Sequence, residues 1–328
     1  MKLRIIGDAP VAAVLAGVLA AEKHEVIWNP DIGVDGRLRV LKRRKEIRLN
    51  LPWGWVRTAS FGLSSSSIVR VGELGVVAAH ASSLTSLKPG GAGKGIGGKN
   101  TRLLVLNIEP ELRDRCIAPE SDVVQGLSLL EAVEWDPGFV EVSSPQPWLI
   151  LEAASELGEF VGCLRPRGIG VLSVDELSPY RNALHIWNLL ALPIALCHST
   201  LSNFLSYVEG REIAVAVLEE GLQLFSLKAL RLGKLPVMDP QDLLQRLRKK
   251  PQEFDKARNL PDRAYGAALQ HLLADGGRAV REANDRIVRM AAQTGLDPTW
   301  NWTLTQKLSR ALRVGFYRDP VELYNTLR

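Results

Sequence analysis

Along the first half of the chain, apolar and polar positions alternate in short blocks. Residues 1–6 are a short apolar run. Gly7-Asp8-Ala9-Pro10 is turn chemistry, with Pro10 suited to the first position of a helix. Val11–Glu22 is rich in Ala, Leu and Val and reads as helix, and His24–Trp28 reads as a second strand. This βαβ opening predicts a parallel sheet. Residues 36–58 alternate charged and apolar (Arg37-Leu38-Arg39-Val40, Ile47-Arg48-Leu49), which predicts a half-exposed antiparallel hairpin. Further strands are expected at Leu74–Ala79, Leu103–Asn107 and Phe139–Ser143, with alternating strand and turn signals over Ser121–Gly138. Lys88–Asn100 is a glycine-rich loop.

After about residue 180 the period changes to that of helices. Ala183–Val208, Glu212–Leu232, Pro240–Lys250, Arg263–Ala274 and Ala279–Thr294 all carry it. The expected organisation is an α/β domain over residues 1–175, with an antiparallel insertion, followed by an all-helical domain over 176–328.

Charge sharpens this picture. The 328 residues contain 41 Lys+Arg and 36 Asp+Glu, a net charge of +5. Seven basic residues and one acid lie between Arg37 and Arg48, so this strip alone carries +6 and the rest of the chain is near neutral. Three cysteines (Cys116, Cys163, Cys197) are too few and too scattered for a disulfide framework or a zinc site. They suit a reducing, cytoplasmic setting. No apolar run reaches the roughly 18 residues of a membrane span. Lys2, Arg4 and the apolar run Val11–Ala21 imitate a secretion signal, but Asp8 and Pro10 interrupt the pattern and favour strand, turn and helix. Tryptophan is abundant, eight against seven phenylalanines, and such rings line pockets as well as cores.

The opening turn carries the main chemical signal. A dinucleotide fingerprint, GxGxxG between strand and helix, lets backbone approach a pyrophosphate and offers it helix N-terminal amides. Here the six positions read Gly7-Asp8-Ala9-Pro10-Val11-Ala12. The first glycine is kept, Ala9 and Ala12 replace the other two, Pro10 removes one amide, and Asp8 adds negative charge. The context is Rossmann-like, with weakened phosphate chemistry. Gly93–Asn100 imitates a phosphate-binding P-loop, but Asn100 stands where a Mg²⁺-binding hydroxyl belongs and a strand follows. The basic strip begins eight residues beyond the second strand. In dinucleotide enzymes this region separates the two nicotinamide cofactors: an acid binds a ribose 2′-hydroxyl and an arginine a 2′-phosphate. Asn29 and Arg37 are the candidates for that contact. A solvated face is the simplest reading of the strip; nucleic-acid binding, with Trp53 and Trp55 stacking bases, is the rival. The five histidines have no metal-ligand spacing, so no metal site is expected.

The arrangement resembles the ketopantoate reductase family, within the 6-phosphogluconate-dehydrogenase-like group. The pieces that carry the likeness are Lys2–Gly7 with His24-Glu25-Val26, then Leu103–Asn107, Trp187-Asn188-Leu189, and Asn284–Gly295 followed by Leu296-Asp297-Pro298. The resemblance implies that Asn107 lies beside a nicotinamide and that Asn284–Gly295 is the last long helix. Four departures mark a divergent member. Ile108 follows Asn107 where the family has Gly. Asn188 occupies the place of the general-acid Lys, which it cannot replace as a proton donor. His80 stands for the Lys at the end of the fourth strand. Glu282 matches the substrate-binding Glu with a one-residue shift.

Three functions compete. The first is an NADP- or NAD-dependent oxidoreductase reducing a small 2-oxo acid or related carbonyl. Gly7, Asp8, Ala9, Pro10, Val11, Asn29, Arg37, His80 and Asn107 would hold the cofactor; Asn188, His185 and Glu282 would serve the substrate, in a cleft between the domains of a homodimer. The second is a non-catalytic relative acting as ligand sensor or scaffold. The third is a nucleic-acid-associated protein that uses the basic strip.

Overall fold

The computed structural model describes residues 1–30, 37–64, 66, 68–79, 95–108, 110–130, 132–142, 147–237, 239–259 and 277–328. The chain divides into two compact units, Met1–Leu177 and Ser178–Arg328.

The first unit is built on an eight-stranded sheet. Its strands are β1 (Lys2–Ile6), β2 (Glu25–Asn29), β5 (Phe61–Leu63), β6 (Leu74–Val77), β7 (Arg102–Leu106), β8 (Asp122–Ser128), β11 (Trp148–Glu152) and β12 (Gly170–Val174). The order is β12-β11-β8-β7-β6-β1-β2-β5. From β8 to β5 every pairing is parallel, and only β11 against β8 is antiparallel. The chain leaves β1 toward β2 and later returns on its other side as β6, so the β1/β6 boundary is a topological switch point.

A second sheet, in the order β4-β3-β10-β9, contains β3 (Ile47–Leu51), β4 (Gly54–Thr58), β9 (Ala132–Asp136) and β10 (Phe139–Val142). The predicted hairpin is therefore shorter than expected. Residues Arg37–Arg44 form helix α2, and only Ile47–Leu51 and Gly54–Thr58 pair antiparallel. Lys42-Arg43-Arg44-Lys45 has no apolar alternation to bury a sheet face, while residues 47–51 do: Ile47, Leu49 and Leu51 are buried and Arg48 is exposed.

Helix α1 (Pro10–Ala21) packs against strands of both sheets and is buried at every position from Val11 to Ala20. That explains its apolar surface all round. Gly17 lets the helix approach β3 closely: a Cβ there would sit 2.8 Å from Leu49 Cδ1, and Leu49 would have to shift. The imitation of a secretion signal thus has a folding cause. Arg4, the charge before the apolar run, is buried in β1 and donates to the Glu73 carboxylate at 3.0 Å. Burial by itself raises the Glu73 carboxyl. The bonds from Arg4 and from the Arg70 amide outweigh it and hold the pKa below the ordinary carboxylate value.

The second unit is helical among its described residues, with 3-10 turns. Helix α8 (Val208–Leu227) runs through its core, burying Ile213, Val217, Leu218, Leu224 and Phe225. The stretch Ala183–Val208, expected as one helix, is broken into α5 (Ser178–Trp187), a 3-10 turn (Asn188–Leu190), α6 (Ala191–Leu196) and α7 (Leu201–Ser206). His198 adopts a left-handed conformation (φ 46°), and the Thr200 side chain caps α7 by accepting from the Asn203 amide. The expected helix over Arg263–Ala274 falls outside the described residues. Ala279–Thr294 is α10 (Arg278–Ala291), and it is not the last long helix. After it come α11 (Thr299–Val314) and α12 (Pro320–Leu327), the latter capped by Asp319. Among the described residues no helix is long and apolar enough to cross a membrane.

Candidate functional site

Parallel pairing brings the carboxyl ends of β1, β2, β6 and β7 to one edge of the large sheet. The turn Gly7-Asp8-Ala9 sits there. Gly7 has φ +149°, and a Cβ on it would lie 1.8 Å from the Ala78 carbonyl oxygen. The first fingerprint glycine is therefore fixed by the close approach of β1 to the end of β6. The Gly7 amide donates to the Asn29 carbonyl at 3.0 Å, and the Trp28 indole donates to the Gly7 carbonyl at 3.1 Å. Three strand ends are tied at one point. No sequence signal pointed to Trp28 as the tie, although an indole N–H in a buried strand needs an acceptor.

No side chain caps the first turn of α1, whose N-cap residue is Ala9. Helix N-termini attract anions through their amides and dipole. Here Pro10 lacks an amide, the Ala12 amide is bound to the Ala9 carbonyl at 2.8 Å, and Asp8 is buried within the turn. The backbone shape suits a phosphate; Asp8 and Ala9 suit it less. Asn29, at the end of β2, is also buried. Val11 opens the apolar core of α1. Arg37 begins α2, but its side chain lies outside the described residues, as does all of His80.

Asn107 ends β7 in a left-handed conformation (φ 57°). Its Oδ1 accepts from the Ser128 amide at 2.8 Å and its Nδ2 donates to the Ser128 carbonyl at 3.3 Å. This two-way clamp holds β7 to β8. The residue is exposed at the sheet edge, and each of its polar atoms keeps capacity for a further bond. Ile108 is buried behind it. Of the imitation P-loop, Gly95–Asn100 is described and is pinned: the Gly98 amide donates to Thr101 Oγ1 and Ser121 Oγ, and Ile96 bridges to Ile117.

In the helical unit, His185 lies on α5, Asn188 in the 3-10 turn that follows it, and Glu282 on α10. His185 Nε2 is 3.1 Å from the Ala283 carbonyl, and its ring stacks on Phe225. Burial first, then the Arg286 charge, pushes its pKa down to about 4, so the ring is neutral at pH 7. Asn188 opens the 3-10 turn and is exposed. Glu282 is exposed on α10 and pairs with Arg289 at 2.9 Å. The next residues of α10 turn inward. Asn284, fully buried, donates to the Leu189 carbonyl at 3.3 Å and to Asn301 Oδ1 at 2.8 Å. Asn301 in turn donates to Glu220 at 2.7 Å. Burial raises the Glu220 pKa against the bonds it accepts from the amides of Asn301 and Trp300. This polar chain fixes the backbone beside Asn188, and sequence reasoning missed it. The signal was present in Asn284 and Asn301, amides at core positions of amphipathic helices. A concavity of about 780 Å³ opens in the same unit beside Trp187, with Leu235, Leu243 and Phe254 among its walls. Among the described residues there is no group of three or more potential metal ligands.

No protein-family model matches this sequence, and no curated protein does. Solved structures do. A ketopantoate reductase from Ralstonia eutropha superposes with a TM-score of 0.68 at 18% identity, covering 95% of this chain and 98% of its own. The ternary structure of D-mandelate dehydrogenase with NADH and anilino(oxo)acetate gives 0.70 at 13% identity, covering 95% and 98%. The 2-dehydropantoate 2-reductase from Methylococcus capsulatus gives 0.64 at 14%, again covering 95% and 98%. The chain has the fold of these proteins over nearly its whole length: a Rossmann-like sheet unit followed by a helical one.

Proposed function

From that shared fold we propose that the chain is an NAD(P)-dependent oxidoreductase of ketopantoate reductase type, reducing a small 2-oxo acid or related carbonyl. One observation supports it most. The strand-turn-helix at Gly7 keeps the close backbone approach a pyrophosphate needs, at the switch point of a parallel sheet, in a chain whose structural neighbours include an NADH-bound dehydrogenase.

The cofactor's diphosphate would rest on the turn Gly7–Val11, its adenosine ribose against Asn29 and Arg37, and its nicotinamide end near Asn107 and His80. Bound so, the reduced nicotinamide supplies the hydride. The chain's own residues position and polarise the substrate. Asn188 donates from its side-chain amide to the substrate oxygen, and Glu282 accepts from a substrate hydroxyl. His185 at neutral pH is an uncharged ring bonded to Ala283, which suits holding α10 against α5 rather than delivering a proton. The proton for the new hydroxyl then comes from His80 or from water. With neither a lysine ammonium nor a full glycine fingerprint, turnover is slow and cofactor affinity modest.

Asp8, Ala9 and Pro10 also favour a second reading, a ligand-sensing relative that binds the nucleotide without turnover. A thermal-shift titration with NADH and NADPH separates the cases. A rise in melting temperature with either supports cofactor binding, and no rise with both removes the proposal. Consumption of NADPH with a panel of 2-oxo acids, lowered at least tenfold in Asn188→Ala, distinguishes enzyme from sensor.

A further inference from the structure

The outer face of the second sheet holds a feature that the proposed reductase site does not use. Ile47, Leu49 and Leu51 of β3 are buried, and the alternate residues Arg48 and Asn50 point the other way. Antiparallel pairing sets Arg57 of β4 directly opposite Arg48, and Trp55 opposite Asn50. Parallel pairing sets Phe139 of β10 on the other side of Arg48. Trp55 and Phe139 stack nearly parallel, with ring centres 5.8 Å apart at 8°. Trp55 is nevertheless 58% exposed. At that separation the rings are offset, so Phe139 overlaps the indole only in part and much of it remains open.

The charges beside this pair are unbalanced. Arg44 is held by Asp136 and the Pro137 carbonyl, and Arg48 by Glu46. Arg57, set opposite Arg48 in the register, has no ion pair or hydrogen bond among the described residues. Arg48 is already neutralised by Glu46, which leaves Arg57 as a cation without a counter-charge on this solvent face. These residues enclose a concavity of about 500 Å³, in the size range of small-ligand sites.

We propose that this concavity binds a planar aromatic group carrying an anionic substituent, with a nucleoside monophosphate as the simplest form. The open face of Trp55 takes the ring, since stacking on an indole tolerates any base. Arg57, supported by Arg48, takes the phosphate in the forked geometry a guanidinium offers. The bound anion supplies the counter-charge that Arg57 lacks. The basic strip identified in the sequence thereby contributes Arg44 and Arg48 to a small-molecule site rather than to a track for a polymer.

The test is calorimetric titration of the full chain with AMP, inorganic phosphate and an oligothymidylate at two salt concentrations. AMP is expected to bind and to quench tryptophan fluorescence. Arg57→Gln should weaken it about tenfold or more, and Trp55→Leu should weaken it and remove the quench. Ala9→Asp, in the turn of the other proposed site, should leave AMP binding unchanged. Both sheet substitutions are at exposed positions and should leave the fold intact. Absence of AMP binding overturns the proposal. So does binding lost in Ala9→Asp but kept in Arg57→Gln, which would place AMP in the turn. Phosphate binding as tightly as AMP would overturn the aromatic role. Steeply salt-dependent binding of the oligonucleotide alone would replace the small ligand with a polymer.

Discussion

Replacing Gly7 with alanine tests whether the turn is held by sterics. The added Cβ would lie 1.8 Å from the Ala78 oxygen and 2.4 Å from the Ala78 carbon. That is roughly 1.5 Å short of van der Waals contact. Both obstacles are backbone, so no side chain can rotate away. Moving the end of β6 would break the bond from the Ala78 amide to the Ile6 carbonyl (2.9 Å), and moving the turn would break the bond from the Gly7 amide to the Asn29 carbonyl (3.0 Å). Each such bond contributes about 1 kcal/mol. The backbone at φ +149° adds strain of about 1–3 kcal/mol for a residue with a Cβ. The expected loss is therefore about 2–4 kcal/mol, a large part of the roughly 5–15 kcal/mol of a typical domain. Urea denaturation followed by far-UV circular dichroism and tryptophan fluorescence measures it, and Trp28, bonded to the Gly7 carbonyl, reports the same locus. Gly62→Ala is the control: its nearest neighbour would be 3.5 Å away, and the change should be within about 0.5 kcal/mol. A loss below about 1 kcal/mol for Gly7→Ala would refute the steric account.

Glu73→Gln should destabilise the first unit by about 3–5 kcal/mol, because Arg4 would remain buried without its counter-charge; a change under about 1 kcal/mol in urea would contradict this. Since the folded Glu73 pKa is lowered, its stabilisation is full above the ordinary value of 4.5 and is lost as pH falls through the folded value. His185 should titrate near pH 4 by NMR. Its folded pKa also lies below the unfolded 6.5, so its stabilisation, on the order of 3 kcal/mol, is present above pH 6.5 and disappears as pH falls toward 4; a midpoint above 6 would show a solvated ring. Asn107→Ala should cost about 1–2 kcal/mol through the lost Ser128 clamp and the left-handed backbone. Asn107→Gly loses the same bonds without the backbone strain and should be the milder of the two by thermal melting, whereas equal losses would mean that the backbone conformation is unstrained.

Most parallel strands of the first unit were legible because each is a short apolar run bounded by turn residues: residues 2–6, 25–29, 74–77 and 102–106 are such runs. Strands β11 and β12 went unread although turn residues precede both (Pro145 and Pro147, then Pro166 and Gly168), because an apolar run as short as Leu149-Ile150-Leu151 does not by itself separate a strand from a piece of buried helix. In the second unit, the break at Cys197-His198-Ser199-Thr200 was hidden by the helical period on either side of it. The candidate site was legible in part. Gly7, Asn29, Asn107 and Asn188 were named from position and residue type. Gly7 meets Trp28, Asn107 meets Ser128, and Leu189, the neighbour of Asn188, meets Asn284; these contacts cross 21 to 95 residues of chain, and no local pattern encodes such pairings.

By itself, the sequence determined where the texture of the chain changes from α/β to helical, and that its opening is a strand, a turn and a helix. Hydrophobic period is a local property, and burial of one face follows from it. Tertiary structure alone decided what each unusual residue is for. Arg4 is a charge in an apolar strand with no stated purpose until Glu73 is beside it, and the apolar surface of α1 on every side has no cause until two sheets cover it. The basic strip reads as one hairpin until its first half coils into α2 and its arginines meet Trp55 and Phe139. A charge or a ring has its meaning set by the groups within a few ångströms, and those groups come from distant parts of the chain.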